Sequence, residues 1–140
     1  MKVEAIHLRA PDANDVHATT SAKAVAGKGL EGDRYFFEDG ARPGLALTLI
    51  EGDVVRGAGL AEGATRRQVT VTGTGLNDLV GKRFRVGSVE CYGVMLCEPC
   101  LHLQELTRPG IIKQLVHRAG LNADILTHGS IAVGDEVVEL

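Results

Sequence analysis

The chain has no tryptophan and only two tyrosines and three phenylalanines in 140 residues. It therefore lacks the aromatic platform on which single-strand nucleic-acid binders stack bases. It also lacks a basic excess: 15 Lys and Arg stand against 18 Asp and Glu, a formal charge of −3. Nothing global draws it to nucleic acid or to an anionic lipid surface. Long apolar runs are missing too. Leu45 to Ile50, itself broken by Thr48, falls far short of the roughly 20 residues that cross a bilayer. Glu4 stands where a secretory signal would build its apolar region. These absences predict a cytoplasmic protein with neither nucleic acid nor membrane as a partner. Cysteine is scarce, and its placement is informative. The three residues Cys91, Cys97 and Cys100 form one short cluster, whereas a secreted disulfide framework spreads an even number along the chain. The thiols are expected to be reduced, with either a local task or a place in the core.

A chain of this length forms one domain, residues 1–140, large enough to bury about two thirds of its unfolded surface. Glycine is abundant, at 18 residues, and punctuates short apolar segments in the manner of strands and turns. Strands are predicted at Val3 to Leu8, Leu45 to Ile50, Gln68 to Thr72, Arg83 to Val86, Val89 to Leu96, Ala123 to Leu126 and Ile131 to Leu140. Val, Ile and Thr dominate several of them, as suits a pleated, half-buried surface. One short helix is expected around Glu51 to Ala58. A second is expected from about Gly110 to Ala119, with Ile111, Ile112, Leu115, Val116 and Ala119 on one face. Short strands outnumber helices without regular β-α-β alternation, so the predicted fold class is mainly β: a closed or nearly closed barrel with one or two short helices. The segment from Asn14 to Gly44 carries the least regular pattern, and such segments are commonly functional or mobile. Phe84-Arg85-Val86-Gly87 and Ile131-Ala132-Val133-Gly134 rhyme, which suggests two hairpins.

Three constellations could carry chemistry. Gly27-Lys28-Gly29-Leu30-Glu31-Gly32 matches G-x-G-x-x-G, but a dinucleotide loop needs a strand before it and a helix after it, and Asp39-Gly40 and Pro43-Gly44 interrupt the stretch where that helix would run. A loop that brings backbone close to another group, ending in Asp33 and Arg34, is the better reading; an ordinary turn is the plain alternative. Cys97-Glu98-Pro99-Cys100 is the sharpest local signal. A thioredoxin-like pair would sit in a βαβ sheet, and Glu98 would raise rather than lower a neighbouring thiol's pKa. Structural zinc on Cys91, Cys97, Cys100 and His102 would ordinarily use two ligand pairs from separate segments. Cys91 and Cys97 read best as core thiols, leaving Cys100 as an exposed thiolate, nucleophile or soft metal ligand. Arg66 and Arg67 precede one strand while Lys82, Arg83 and Arg85 crowd the next; they suit either phosphate recognition or a solvated charged face.

The same blocks carry a resemblance. Gly29-Leu30-Glu31-Gly32-Asp33-Arg34 resembles the G-(I/V/L)-x-G-D-R signature of MOSC domains, named for the C-terminal domain of molybdenum cofactor sulfurases. In order along the chain, Leu47 to Ile50 is similar to that family's first central strand, and Arg66-Arg67-Gln68-Val69-Thr70-Val71 to its Arg-Arg-Asn-apolar block. Leu76 to Gly87 resembles L-x-x-L-x-G-x-x-F-x-x-G, Pro99-Cys100 falls where these domains place a Pro-Cys pair, and His117 to Asp135 resembles the closing segment. Two positions depart from the pattern: Gln68 replaces Asn, and Tyr35-Phe36 stands where His commonly follows the Arg.

The resemblance implies a pyruvate-kinase-barrel-like β-fold that binds molybdenum cofactor, Mo-molybdopterin. Cys100 would be the catalytic residue, either the molybdenum ligand or a persulfide carrier. Gly29, Gly32, Asp33, Arg34, Arg66 and Arg67 would hold the pterin and its phosphate. It implies no pyridoxal phosphate, since there is no room for a cysteine desulfurase domain. As an enzyme the protein would resemble small family members that reduce N-hydroxylated compounds, with an electron-donor protein supplying electrons. The alternatives are a non-catalytic sulfur or cofactor carrier that meets a cysteine desulfurase, and a zinc-stabilised structural module.

Overall fold

A computed structural model describes residues 1–140. In chain order its strands are β1 (Val3–Leu8), β2 (His17–Thr19), β3 (Ser21–Val25), β4 (Gly29–Leu30), β5 (Leu47–Glu51), β6 (Val69–Val71), β7 (Arg83–Val86), β8 (Val89–Leu96), β9 (Leu121–Ile125), β10 (Gly129–Ala132) and β11 (Val137–Glu139). Three short helices join them: α1 (Gly52–Gly57), α2 (Leu101–Leu106) and α3 (Ile111–Leu115), with a 3-10 turn at Leu76–Leu79.

Eight strands form one curled sheet in the order β11-β7-β8-β9-β5-β6-β1-β2, and β10-β3-β4 form a second. Alternation explains the long strands. In β9, Leu121, Ala123 and Ile125 point inward while Asn122 and Asp124 do not. Strands β7 and β8 pair as a hairpin closed by Gly87 and Ser88, with Val86 opposite Val89. Gly87 supplies the positive φ of 57° that a two-residue loop asks for. At Gly93 a side chain is impossible, because a Cβ would lie 2.0 Å from the Leu79 carbonyl oxygen. That approach is what lets Val80 bridge to Gly93.

The large sheet is an open, strongly curled half-barrel that comes close to closing on itself. Lys2 bridges Glu136, and the Val3 amide donates to the Asp135 carbonyl while the Val137 amide donates to that of Met1, both at 2.8 Å. Strand β1 is thus lined on one edge by β6 and on the other by β2 for its second half. Inside lies a cluster of 22 buried apolar residues, with Phe84 fully buried among them. Outside the curl, Ala58, Leu103, Ile111, Leu115 and Ala119 form a separate cluster of five. There α2 and α3 pack with the end of α1.

The expected mainly β, nearly closed barrel is therefore the fold, with these corrections. The stretch Ile131 to Leu140 is two strands in different sheets, because Gly134 turns at φ 95° and the Asp135 carboxylate caps the Ala132 amide at 2.9 Å. Only the first of the two rhyming segments makes a hairpin. The helix expected to reach Ala119 stops at Leu115, since His117 adopts φ 62°. Ile111, Leu115 and Ala119 are buried as expected, but Ile112 and Val116 are exposed. The segment from Asn14 to Gly44 holds three short strands, and α2 is a helix that the sequence pattern does not announce. One parallel β-α-β unit exists, β5-α1-β6.

Candidate functional site

A cavity of about 290 Å³ opens where four segments meet: the end of β1, the loop after β4, the approach to β6, and the passage from β8 into α2. Its size is near the lower end of small-molecule sites, about 300 Å³. Strand β1 contributes His7 and the residue just past its end, Arg9; the loop after β4 contributes Asp33 and Tyr35. The approach to β6 brings Thr65, Arg66, Arg67 and Gln68, and the last segment brings Cys97, Cys100 and His102.

Asp33 is the keystone. It is 4% exposed, and one carboxylate oxygen accepts from the Arg9 amide at 2.8 Å. The other accepts from the Tyr35 amide at 3.1 Å and from Gln68 Nε2 at 2.7 Å. Gln68 in turn accepts the Thr48 amide through Oε1 at 2.9 Å, and its own amide donates to Thr48 Oγ1 at 3.0 Å. The longer amide thus fastens the Gly29–Arg34 loop to β5 and β6, a buried network in which each polar group has a partner.

Both arginines of the Arg66-Arg67 pair are anchored with donors to spare, since a guanidinium carries five N–H groups. Arg66 donates to the Asn14 carbonyl at 2.7 Å. Arg67 donates through Nε to the Ala119 carbonyl at 2.9 Å and through Nη1 to that of Thr65 at 3.2 Å. Arg66 and His117 are the two non-glycine residues with positive φ, at 58° and 62°. Such backbone costs about 1–3 kcal/mol and tends to cluster at working sites.

The three thiols divide by environment. Cys91 is fully buried; burial first, then Asp124 and Glu90, pushes its pKa up to about 12. It is a core thiol, as expected. Cys97 is not: it is half-buried and lines the cavity. Burial raises its pKa, the Arg67 charge pulls it back down, and Cys100 and Glu98 add to the rise. Cys100 is exposed on the cavity wall, immediately before α2. The loop between them is tied to the turn after α3. The Cys97 amide donates to the Gly120 carbonyl at 2.8 Å. Glu98 takes the His117 amide on one oxygen and His117 Nδ1 on the other, each at 2.6 Å. The bond from the His117 amide holds the Glu98 carboxyl below its usual range against the opposing effect of burial, and the imidazole adds to this.

Of the residues singled out in the sequence, Asp33, Arg66, Arg67 and Cys100 come together here. Gly29 and Gly32 do not line the cavity, and Arg34 is exposed between two residues that do. A Cβ on Gly29 would lie 2.6 Å from the Tyr35 carbonyl oxygen, so its close approach is to its own chain. The segment after Gly32 makes turns and no helix, leaving the dinucleotide reading without its anion-binding end. No group of three or more His, Cys, Asp or Glu side chains converges as a metal ion held by those donors alone would require. Motif and spacing did not single out Arg9 or His7. His7 is 5% exposed, sits 3.7 Å through Nε2 from Glu62, and its Nδ1 is the one buried side-chain nitrogen or oxygen without a partner. A second cavity of about 370 Å³, lined by Glu51, Asp53, Asn77 and Arg118 among others, contains no thiol. No helix is long and apolar enough to cross a membrane.

A curled β half-barrel with a thiol and arginines on one cavity defines a class, and comparison with known proteins names it. The MOSC domain model matches residues 55–138, more than half of the chain. The protein belongs to the MOSC domain family, which is associated with molybdenum cofactor binding in general. No curated protein matches its sequence. Solved structures share the fold. The YuaD protein from Bacillus subtilis is 15% identical with a TM-score of 0.79, over 97% of this chain and 93% of that one. YiiM from Geobacillus stearothermophilus is 16% identical with a TM-score of 0.74, over 99% and 74%. YiiM from Escherichia coli is 15% identical with a TM-score of 0.71, over 100% and 70%.

Proposed function

We propose that the protein binds molybdenum cofactor in the Cys100 cavity, with the Cys100 thiolate as the protein's ligand to molybdenum. The carrying observation is that an exposed thiol shares one cavity with Arg9, Arg66 and Arg67. The donor set fits the group. Molybdenum suits a soft thiolate, and the pterin phosphate suits guanidinium forks. Arg66 and Arg67 hold the phosphate with the donors left over from their backbone bonds, and Arg34 and Arg9 add charge at the rim. Asp33 positions this loop from within, and Gly29 and Gly32 shape it. His7 lines the same cavity. When bound, the cofactor supplies two-electron oxygen transfer, and the substrate class would be N-hydroxylated compounds, with electrons from a partner protein. Three free thiols accord with a cytoplasmic setting.

The test is elemental and pterin analysis of protein made in a host that synthesises the cofactor, alongside Cys100→Ala. Near-stoichiometric molybdenum and pterin, with molybdenum lost in the variant, is the expected result. Neither in either protein overturns the proposal. One observation favours a second reading, a persulfide carrier: the exposure of Cys100 leaves it open to a desulfurase. An added sulfur mass on Cys100 in the intact protein, without molybdenum, would select that reading.

A further inference from the structure

The cavity holds two thiols, and the proposed function uses one. We infer that Cys97 and Cys100 are the site of a reversible intramolecular disulfide, in which the exposed Cys100 meets the oxidant and Cys97 closes the bond.

Position sorts the three cysteines. Cys91 is sealed between β7 and β9, opposite Phe84 and Ile125, where no oxidant reaches it. Cys97 and Cys100 face the same cavity. Residues 97–100 belong to no helix or strand, so the loop can bring the two Cα atoms into the roughly 4.4–6.8 Å range that a disulfide requires. The loop's ends are fixed by the Cys97–Gly120 backbone bond and by α2, which limits any search to the two residues between. Arg67 lies on the same wall and favours a Cys97 thiolate against the effect of its burial.

The chemistry needs a peroxide as oxidant and balances with it. Cys100 sulfur attacks one peroxide oxygen, the O–O bond breaks, and one water leaves, giving Cys100 sulfenic acid. Cys97 thiolate then attacks that sulfur; the S–S bond forms, the S–O bond breaks, and the hydroxide takes a proton to leave as a second water. A dithiol reductant returns two electrons and two protons. Because burial holds the Cys97 proton on, closure quickens as pH rises. Once closed, Cys100 sulfur is withdrawn from any ligand in the cavity. The disulfide does not depend on what that ligand is.

The experiment treats the reduced full chain with hydrogen peroxide, quenches, unfolds it in denaturant, and maps thiols by alkylation and mass spectrometry without reductant. The expected result is an intact mass lower by two hydrogens, a Cys97–Cys100 linkage, Cys91 still alkylatable, and full reversal by dithiothreitol. Cys91→Ser should close like the parent. In Cys97→Ser, Cys100 should instead be trapped as a sulfenic acid by dimedone, and its sulfinic acid should accumulate severalfold. The inference is overturned if Cys100 of the parent passes to sulfinic acid while Cys97 stays alkylatable, or if the linkage joins two chains. These readouts need no molybdenum, so a protein that binds no cofactor still gives a decisive answer, as does the parent alone if a variant does not fold.

Discussion

The barrel and its helical cap are built to different standards. Twenty-two buried residues interlock inside the curled sheet, whereas five hold α1, α2 and α3 together outside it. The sheet sets where β1, β5 and β6 deliver Arg9, Thr48 and Gln68. The cap sets where Cys100 and His102 stand, with far less apolar area to secure it. Chemistry sits on the seam between a rigid body and a lightly fastened one, so binding can fail there before folding does.

Substitutions that truncate each side test that difference. Phe84→Ala empties the middle of the barrel and should cost about 3–5 kcal/mol in urea unfolding, a large share of the roughly 5–15 kcal/mol of a whole domain. Leu115→Ala in the cap should cost about 2 kcal/mol, at the low end for such truncations because the short helices can settle. Bound molybdenum, measured on the folded protein, should fall more than that loss of stability implies; equal losses in both would erase the distinction between barrel and cap. Gln68→Ala cuts the tie across the seam, taking one of two donors from an Asp33 oxygen and leaving the Thr48 amide without its acceptor, for about 1–3 kcal/mol. Its pterin content should drop with it. The smallest effect belongs to the Glu98–His117 tie, where Glu98→Gln should change stability by less than about 0.5 kcal/mol because both groups are exposed. Glu98 has a depressed pKa in the folded state, so its contribution is complete above the ordinary carboxylate range. It is lost as pH falls through the folded value. Cys97 alkylation should accordingly speed up in acid relative to Glu98→Gln at the same pH, once corrected for thiolate fraction; no difference would remove the tie as a brace.

Much of the barrel was legible. β7 and β8 read to the residue because apolar positions alternate and Gly87 marks the turn, and β1 because it is a short, largely apolar run. Strand β3 did not, since Ala22 and Ala24 are its only buried residues and carry little pattern. It becomes a strand by pairing with β10, more than a hundred positions away. Helix α2 is six residues long, too short for a period to show. At the site, motif spacing exposed Asp33, Arg66, Arg67 and Cys100. Arg9 and His7 arrive through the pairing of β1 with β6, a long-range fact that no local window contains. Cys97 looked like Cys91 in sequence; only the loop's exit from the sheet separates them.

The left-handed backbone at Arg66 bears on how the molecule would respond to optimisation. Glycine adopts φ 58° freely, so Arg66→Gly would relieve strain of about 1 kcal/mol, offset in part by the lost bond to Asn14. A screen for heat resistance would be drawn to that change. A screen for a working cavity would reject it, because the same substitution removes a charge from the wall. At this position durability and use pull in opposite directions.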